Sequence, residues 1–431
     1  MPGTAKLQVA LDFLEQRRAL KCAREAVAGG ADILEAGTPL IKSEGLDVVR
    51  ALRAEFPRHP IMADMKVMDA GRVEVEAAAK AGATIVAVMA AASEATIREC
   101  VETGRNYGAT IAVDFLGVTD LVGMARRCAE WGVGVINLHV PIDDQMRGAD
   151  PLERVRLVRG AVDVQIAAAG GLHSEVAAAV VAAGADIVIV GGAITKAADA
   201  TAATRAIRTA MDTGAAVRTD LYKRASDVEA ARKILLEVST PNLSDALHRQ
   251  PCLPGIRPVV PGAKMAGPAV TVRTYPGDWA KTVEAIEHAS PGDVLCFDAG
   301  GVPPAVWGEL ATESAVQRKL AGVVCFGAVR DVPEIRQHGF PCFASHVTSE
   351  AGEPRGFGEI GVPIRVAGQD VAPGDWLVGD DNGVLVLPKA KLIEYANRAM
   401  HVLEYENRLR GEIRQASTLS EVAELLRWEK K

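Results

Sequence analysis

The stretch Ala63-Asp64-Met65-Lys66-Val67-Met68-Asp69-Ala70-Gly71 carries three charges at the spacing D-x-K-x-x-D, immediately after the apolar run Pro60-Ile61-Met62-Ala63. The apolar run reads as a buried strand, and a core strand needs no charges for its packing. In a strand Asp64 and Lys66 share one face, while Asp69 lies past the strand end and is free to reach elsewhere. A lysine held between carboxylates stays protonated, and carboxylates at a strand end can ligate a cation or move a proton. A solvated surface ion pair has the same spacing. The surrounding elements decide between the two.

Those elements repeat. Small-residue turns ending in Gly30, Gly82, Gly108, Gly132, Gly160 and Gly184 each precede an apolar, β-branched run, at intervals of about 26 residues and twice that between Gly30 and Gly82. A strand, a helix and two short loops fill that length, which is the βα unit of a parallel sheet. With Leu7–Asp12 and Pro60–Asp64 the count reaches eight strands by about residue 191, predicting an α/β fold with an N-terminal (β/α)8 barrel.

A barrel keeps its chemistry at the C-terminal ends of its strands. Here those ends carry Asp12, Glu35, Asp64 with Lys66, Asp114, His139, then Gly170-Gly171 and Gly191-Gly192. The glycine pairs follow strands seven and eight, where bare backbone N–H groups favour a phosphate. Singly, Asp12 suits a turn, Glu35 a helix cap, and His139 a packed loop. Together, Glu35 and Asp64 offer the oxygen ligands that Mg²⁺ takes, and His139 is placed to exchange protons near neutral pH.

The 431 residues exceed one ordinary core, so two domains are expected. A hydrophobic content of 49% with 24% charged residues is that of a soluble globular protein, and a net charge of −7 disfavours a nucleic-acid surface. The Met-Pro-Gly-Thr start runs directly into a strand, and no apolar segment is long enough to span a bilayer, so a cytoplasmic location and no membrane partner are expected. Seven scattered cysteines form no C-x-x-C pair and suggest neither a disulfide framework nor a zinc site.

Leu7–Asp12, Leu34-Glu35-Ala36-Gly37-Thr38-Pro39, the D-x-K-x-x-D stretch, Leu138-His139 and Val190-Gly191-Gly192-Ala193-Ile194-Thr195 resemble the 3-hexulose-6-phosphate synthases of the orotidine-phosphate decarboxylase suprafamily, over roughly residues 5–211. The resemblance implies a barrel homodimer with sites at its interface, Asp69 serving the partner's site. It implies Mg²⁺, or Mn²⁺ in its place, on Glu35 and Asp64, and phosphate on the glycine loops. It further implies aldol addition of formaldehyde to ribulose 5-phosphate, or the reverse cleavage. His139 leads as the proton-transfer group, with Lys66 and Asp69 as competitors, Asp12 joining the catalytic set and Asp114 the substrate-binding set. The related 3-keto-L-gulonate-6-phosphate decarboxylases carry an Arg three residues after the histidine; here that position is Ile142, which favours the synthase.

Beyond about Met211 the repeat stops. Residues 212–238 read as a helical linker, 239–390 as a second α/β domain, and 391–431 as a charged helical tail. Strands are expected at Ala269–Arg273, Asp293–Asp298, Gly322–Phe326, Pro341–Ala344 and Val384–Leu387, with helices near Trp279–His288 and Ala305–Lys319. The chemical signal is Gly308-Glu309, twenty residues, then Arg330-Asp331. With Ser239–Leu247 upstream, it resembles the RraA-like family, which includes 4-hydroxy-4-methyl-2-oxoglutarate aldolases and a protein regulator of a ribonuclease. In the aldolases this pattern binds divalent metal and a 2-oxo acid carboxylate, which implies Asp331 as metal ligand and Arg330 as carboxylate fork; Glu309 stands where they have Asp. The expectation is a bifunctional homo-oligomer, in which dimeric barrel contacts and trimeric contacts of the second domain would close a hexamer. The alternative for the second domain is a non-catalytic binding module.

Overall fold

The computed structural model describes residues 5–141, 146, 151–219, 221, 224–415 and 417–423. Two compact units result, one of residues 1–222 with 404–431 and one of residues 223–403.

In the first unit, strands β1 (Lys6–Leu11), β2 (Ile33–Ala36), β3 (Ile61–Val67), β4 (Ile85–Met89), β5 (Thr110–Asp114), β6 (Val135–His139), β7 (Gln165–Ala169) and β8 (Ile187–Val190) form a closed parallel barrel, β1 pairing with β8. This is the predicted (β/α)8 architecture. Alternation splits each strand between two cores. Leu7, Val9, Leu34, Ile61, Val86 and Ile136 face the helices, and Ala10, Ile33, Met62, Ala87, Ala112, Ala167 and Ile189 fill the interior. The Gly-led turns have a physical cause at Gly82 and Gly184. Both are left-handed (φ 110° and 107°), and a Cβ at either would lie 2.7 Å from the side chain of Arg53 or Arg159, whose Nε donates to the glycine carbonyl at 3.0 Å.

The first unit is completed from the far end of the chain. The long helix Leu392–Arg414 contributes residues from Glu404 onward to it. There Glu412, 6% exposed, accepts from Arg18 Nε at 3.2 Å and Arg408 Nε at 2.8 Å, and Arg408 donates to Glu25 at 3.1 Å and to the Ala197 carbonyl at 2.9 Å. Arg18 and Glu25 lie on the helix Gln16–Gly29, which precedes β2. Earlier residues of the long helix, Leu392, Ala396, Ala399 and Met400, belong to the core of the second unit. The tail expected over 391–431 is therefore divided between two cores.

The second unit is built on the sheet order β19-β18-β10-β11-β13-β14-β9, from β9 (Arg257–Pro258), β10 (Met265–Arg273), β11 (Val294–Asp298), β13 (Gly322–Val329), β14 (Cys342–Val347), β18 (Trp376–Asp380) and β19 (Gly383–Leu387). Strands β10, β11, β13 and β14 are parallel, and β12 (Ala305–Trp307) pairs with β13. The minor strands are β15 (Glu359–Ile360) on β10, and β16 (Ile364–Val366) with β17 (Gln369–Val371). Two expectations are corrected. The helix begins at Glu309, because Ala305–Trp307 is drawn into the sheet. Of the 212–238 linker, Val228–Glu237 is helical and places Ala231, Ile234 and Leu235 in the second unit's core. The Ser239–Leu247 stretch does structural work: Ser239 caps Thr240–Ala246, and Thr240 Oγ1 donates to Asp380 at 2.6 Å.

Candidate active site

At the barrel mouth, Lys66 Nζ lies 3.0 Å from Asp64 and 3.0 Å from Asp114 Oδ2, and His139 Nδ1 lies 3.3 Å from that same Asp114 oxygen. Four strand-end residues are thus joined in one chain. Lys66 reaches it through an irregularity of β3: the register shifts between Ala63 and Val67, and Lys66 is left-handed at φ 50°, where an L side chain is strained. Asp64 is further held by Thr38, whose Oγ1 donates to its Oδ2 at 2.7 Å.

Asp114, expected in the substrate-binding set, is 1% exposed with both oxygens engaged, since Oδ1 accepts from the Leu116 N–H at 2.9 Å. Its place is under Lys66 and His139 as their common acceptor. Burial works against its charge, but the His139 hydrogen bond and the His139 and Lys66 charges prevail and hold its carboxyl below the usual value. Lys66 shows the same balance with the opposite sign. Burial lowers it, the charges of Asp64 and Asp114 more than offset this, and the ammonium is held well above the ordinary lysine range.

Glu35, 6% exposed, accepts from Gln8 Nε2 at 2.6 Å. Burial, then the Asp64 and Asp12 charges, raise its pKa well above the ordinary value. Asp12 is open to the mouth yet ringed by protein, and that desolvation, then the Asp64 charge, raises it as well. A Cβ on Gly37 would stand 2.2 Å from Asp12 Oδ1, so only glycine there leaves room for the carboxylate. Four carboxylates thus converge on one lysine and one histidine. Glu35 and Asp64 are the oxygen donors of the kind a divalent cation bound at this mouth would take, with waters completing its shell.

Gly170 and Gly171 (φ 101° and 73°) follow β7, and Gly191 and Gly192 follow β8, leading into the single turn Gly192–Thr195. Asp69 is not drawn into the chain of contacts: it is exposed, and its Oδ1 accepts from the Ala70 N–H at 2.7 Å. Ile142 lies outside the described residues. Gln8 and Thr38 escaped the sequence reading. The signal for Gln8 was its inward parity with Ala10 and Asp12, and that for Thr38 its place in the Leu34–Pro39 motif after β2.

In the second unit, Trp307, Gly308, Glu309, Arg330 and Asp331 line one cavity of about 160 Å³. A larger one of about 560 Å³ lies beside Tyr275, Asp278, Arg355 and Phe357. Asp331 is left-handed (φ 58°), accepts from the Glu309 N–H at 3.1 Å, and stands 3.5 Å from Arg330 Nε. A Cβ on Gly308 would meet Asp331 Oδ2 at 2.6 Å. The Glu309 carboxylate pairs elsewhere, 3.6 Å from His338 Nε2, while Glu313 is 3.3 Å from His338 Nδ1. These three side chains bring ligand atoms within 4.8 Å of one another, and their ion pairs account for the arrangement. Glu309 thus meets Asp331 through its backbone.

A closed parallel barrel with a carboxylate, lysine and histidine mouth, followed by a separate α/β unit, defines a two-unit α/β architecture. The chain belongs to the orotidine 5'-phosphate decarboxylase / HUMPS family, matched over residues 5–207, and carries an Aldolase/RraA (RraA-like) domain over residues 240–386. The 3-hexulose-6-phosphate synthase of Mycobacterium gastri is 37% identical over 206 residues, covering 48% of this chain and 99% of that protein. A solved 3-hexulose-6-phosphate synthase structure is 37% identical, covering 48% of this chain and 99% of that one, with a TM-score of 0.46. For the second unit, the RNA-processing inhibitor RraA from Thermus thermophilis is 34% identical, covering 35% of this chain and 93% of that one, with a TM-score of 0.33. Among the described residues no helix is long and apolar enough to cross a membrane.

Proposed function

We propose that the barrel is a Mg²⁺-dependent 3-hexulose-6-phosphate synthase, joining formaldehyde to D-ribulose 5-phosphate or cleaving the product in reverse. One observation carries the reading: Lys66 and His139 share Asp114 Oδ2 at 3.0 and 3.3 Å, beside Asp64. With its Nδ1–H directed at Asp114, His139 keeps Nε2 free to take the proton next to the substrate ketone. Lys66 sets a fixed positive charge beside the enediolate that forms. The Gly170-Gly171 and Gly191-Gly192 loops hold the phosphate, fixing the distance from anchor to reacting carbon. Glu35 and Asp64 would hold the Mg²⁺, which would supply Lewis-acid polarisation of the substrate ketone. The enediolate carbon then adds to formaldehyde, and a protonated neighbour quenches the alkoxide.

Formaldehyde consumption with ribulose 5-phosphate and Mg²⁺ tests the proposal, which fails if wild-type turnover does not exceed that of Asp64→Ala. Release of CO₂ from 3-keto-L-gulonate 6-phosphate would instead establish the decarboxylase reading. The exposed Asp69 is assigned to the partner's site in a barrel dimer. Inactive Asp69→Ala and Lys66→Ala proteins should then regain activity when mixed and allowed to exchange subunits.

For the second unit, the cavity lined by Arg330 and Asp331 favours a 2-oxo acid site, in which Arg330 forks onto the carboxylate and Asp331 faces the cation. Titration with Mg²⁺ and pyruvate should show binding that Arg330→Ala removes. Binding of neither would favour a non-catalytic module.

A further inference from the structure

Asn137 sits two residues before His139 on β6, so both side chains fall on the inner face. The ladder agrees, pairing Asn137 with Asp114 on one side and Ala167 on the other. Asn137 is 5% exposed, and no described residue donates to its amide oxygen. Other polar side chains of the inner face already have partners: Gln8 with Glu35, Asp64 with Thr38 and Lys66, Asp114 with Leu116, Lys66 and His139. An unmatched buried acceptor costs stability and persists where something else supplies its donor. The inner positions nearby on β5 and β7 are the small residues Ala112, Ala167 and Ala169, none of which can donate a hydrogen bond from its side chain.

The strand order identifies the donor. β6 stands between β5, which carries Asp114, and β7, which ends at Gly170-Gly171. A phosphorylated sugar anchored at the Gly170-Gly171 loop after β7 and reacting beside His139 and Asp114 would run its hydroxyl-bearing carbons along β6. We propose that Asn137 is a positioning and specificity residue of the barrel, accepting a hydrogen bond at Oδ1 from a hydroxyl of an open-chain sugar phosphate, between the phosphate and the reacting carbon. The assignment rests on the synthase reading and selects, within it, for substrates hydroxylated at that position.

The test is calorimetric titration of the full chain with ribulose 5-phosphate, its 3-deoxy and 4-deoxy analogues, and inorganic phosphate, for wild type and Asn137→Leu. The substitution should weaken ribulose 5-phosphate about five- to thirtyfold and leave inorganic phosphate unchanged. With one deoxy analogue the difference between the two proteins should vanish, which a merely structural role would not produce. Asn137→Leu should melt no lower than wild type, since the orphaned oxygen is gone. If it does not fold, Asn137→Ser takes its place in the same titrations. Affinity for ribulose 5-phosphate within twofold of wild type overturns the assignment, as does an equal loss with both analogues. Wild type that turns over the substrate while the variant is unaltered removes the role of Asn137 alone. Wild type that does not bind ribulose 5-phosphate removes the synthase reading and this inference with it.

Discussion

Replacing Lys66 by Met removes the cation shared by Asp64 and Asp114 while keeping most of the side-chain volume. At 3.0 Å and an effective dielectric of about 20, each attraction is at most about 5 kcal/mol. Most of that offsets desolvation, and breaking a buried pair costs about 3–5 kcal/mol net. Lys66 is a quarter exposed, so the lower end, about 3 kcal/mol, applies. For a unit of this size about 1 kcal/mol moves the melting temperature by about 2–4 °C, giving a drop of about 6–12 °C. The deficit should be largest at pH 7–8, where the remaining carboxylates repel one another, and should shrink as acid protonates them. Turnover should fall about 10²- to 10³-fold, as for loss of one preorganised charge at a developing anion. Scanning calorimetry from pH 5 to 8 and the formaldehyde assay measure both effects. A variant melting within 2 °C of wild type at pH 7.5, or turning over within tenfold, would refute the placing of Lys66 as the central counter-charge.

Three other perturbations probe separate parts of the molecule. His139→Asn should lower kcat about 10²- to 10⁴-fold with a smaller change in KM, read from initial rates across ribulose 5-phosphate concentrations. Glu412→Ala leaves Arg18 and Arg408 without their common carboxylate; at about 3–5 kcal/mol the first unit should melt about 6–20 °C lower in calorimetry. Asp278 accepts from the N–H groups of Arg355, Gly356 and Phe357 at 3.0, 3.2 and 2.9 Å. Burial opposes its charge, but these hydrogen bonds prevail and hold its carboxyl below the ordinary 3.8. Its stabilisation is therefore present above pH 3.8 and lost as pH falls through the folded value. The melting difference between wild type and Asp278→Asn should be constant near neutrality and close below about pH 4 in a calorimetric series.

The barrel was legible because its units repeat: a glycine at the turn, left-handed at Gly30, Gly82, Gly108, Gly132 and Gly184, then an apolar run, with a polar residue at or just past the end of several strands. Inner-face chemistry followed from alternation at Asp12, Glu35, Asp64 and His139. Alternation failed at Lys66, where the strand is irregular and a non-glycine residue takes a positive φ, so its approach to both Asp64 and Asp114 depends on a backbone shift that no residue type announces. The engagement of both Asp114 oxygens was hidden for the same reason, since it needs Lys66 from β3, His139 from β6 and the Leu116 N–H from the loop after β5. In the second unit Glu309 was legible as an acid but its partners were not, because His338 lies on a later helix and the spacing says nothing of where the carboxylate turns. Ala305–Trp307 misled as helix because a three-residue strand carries no period.

The clasp of Arg18 and Glu25 by Arg408 and Glu412 also has a temporal side. Residues 5–207 leave the ribosome long before Arg408 is translated, some 200 residues later, a delay of roughly 10–40 s at about 5–20 residues per second. For that interval the nascent barrel carries Arg18 without the carboxylate it meets in the finished protein, and its first helix is held by apolar packing and by its contacts to Glu44, Glu55 and Thr201. Translation speed across the second unit thus sets how long the first waits in an incompletely fastened state, and a chaperone acting on this protein would find its substrate in that window.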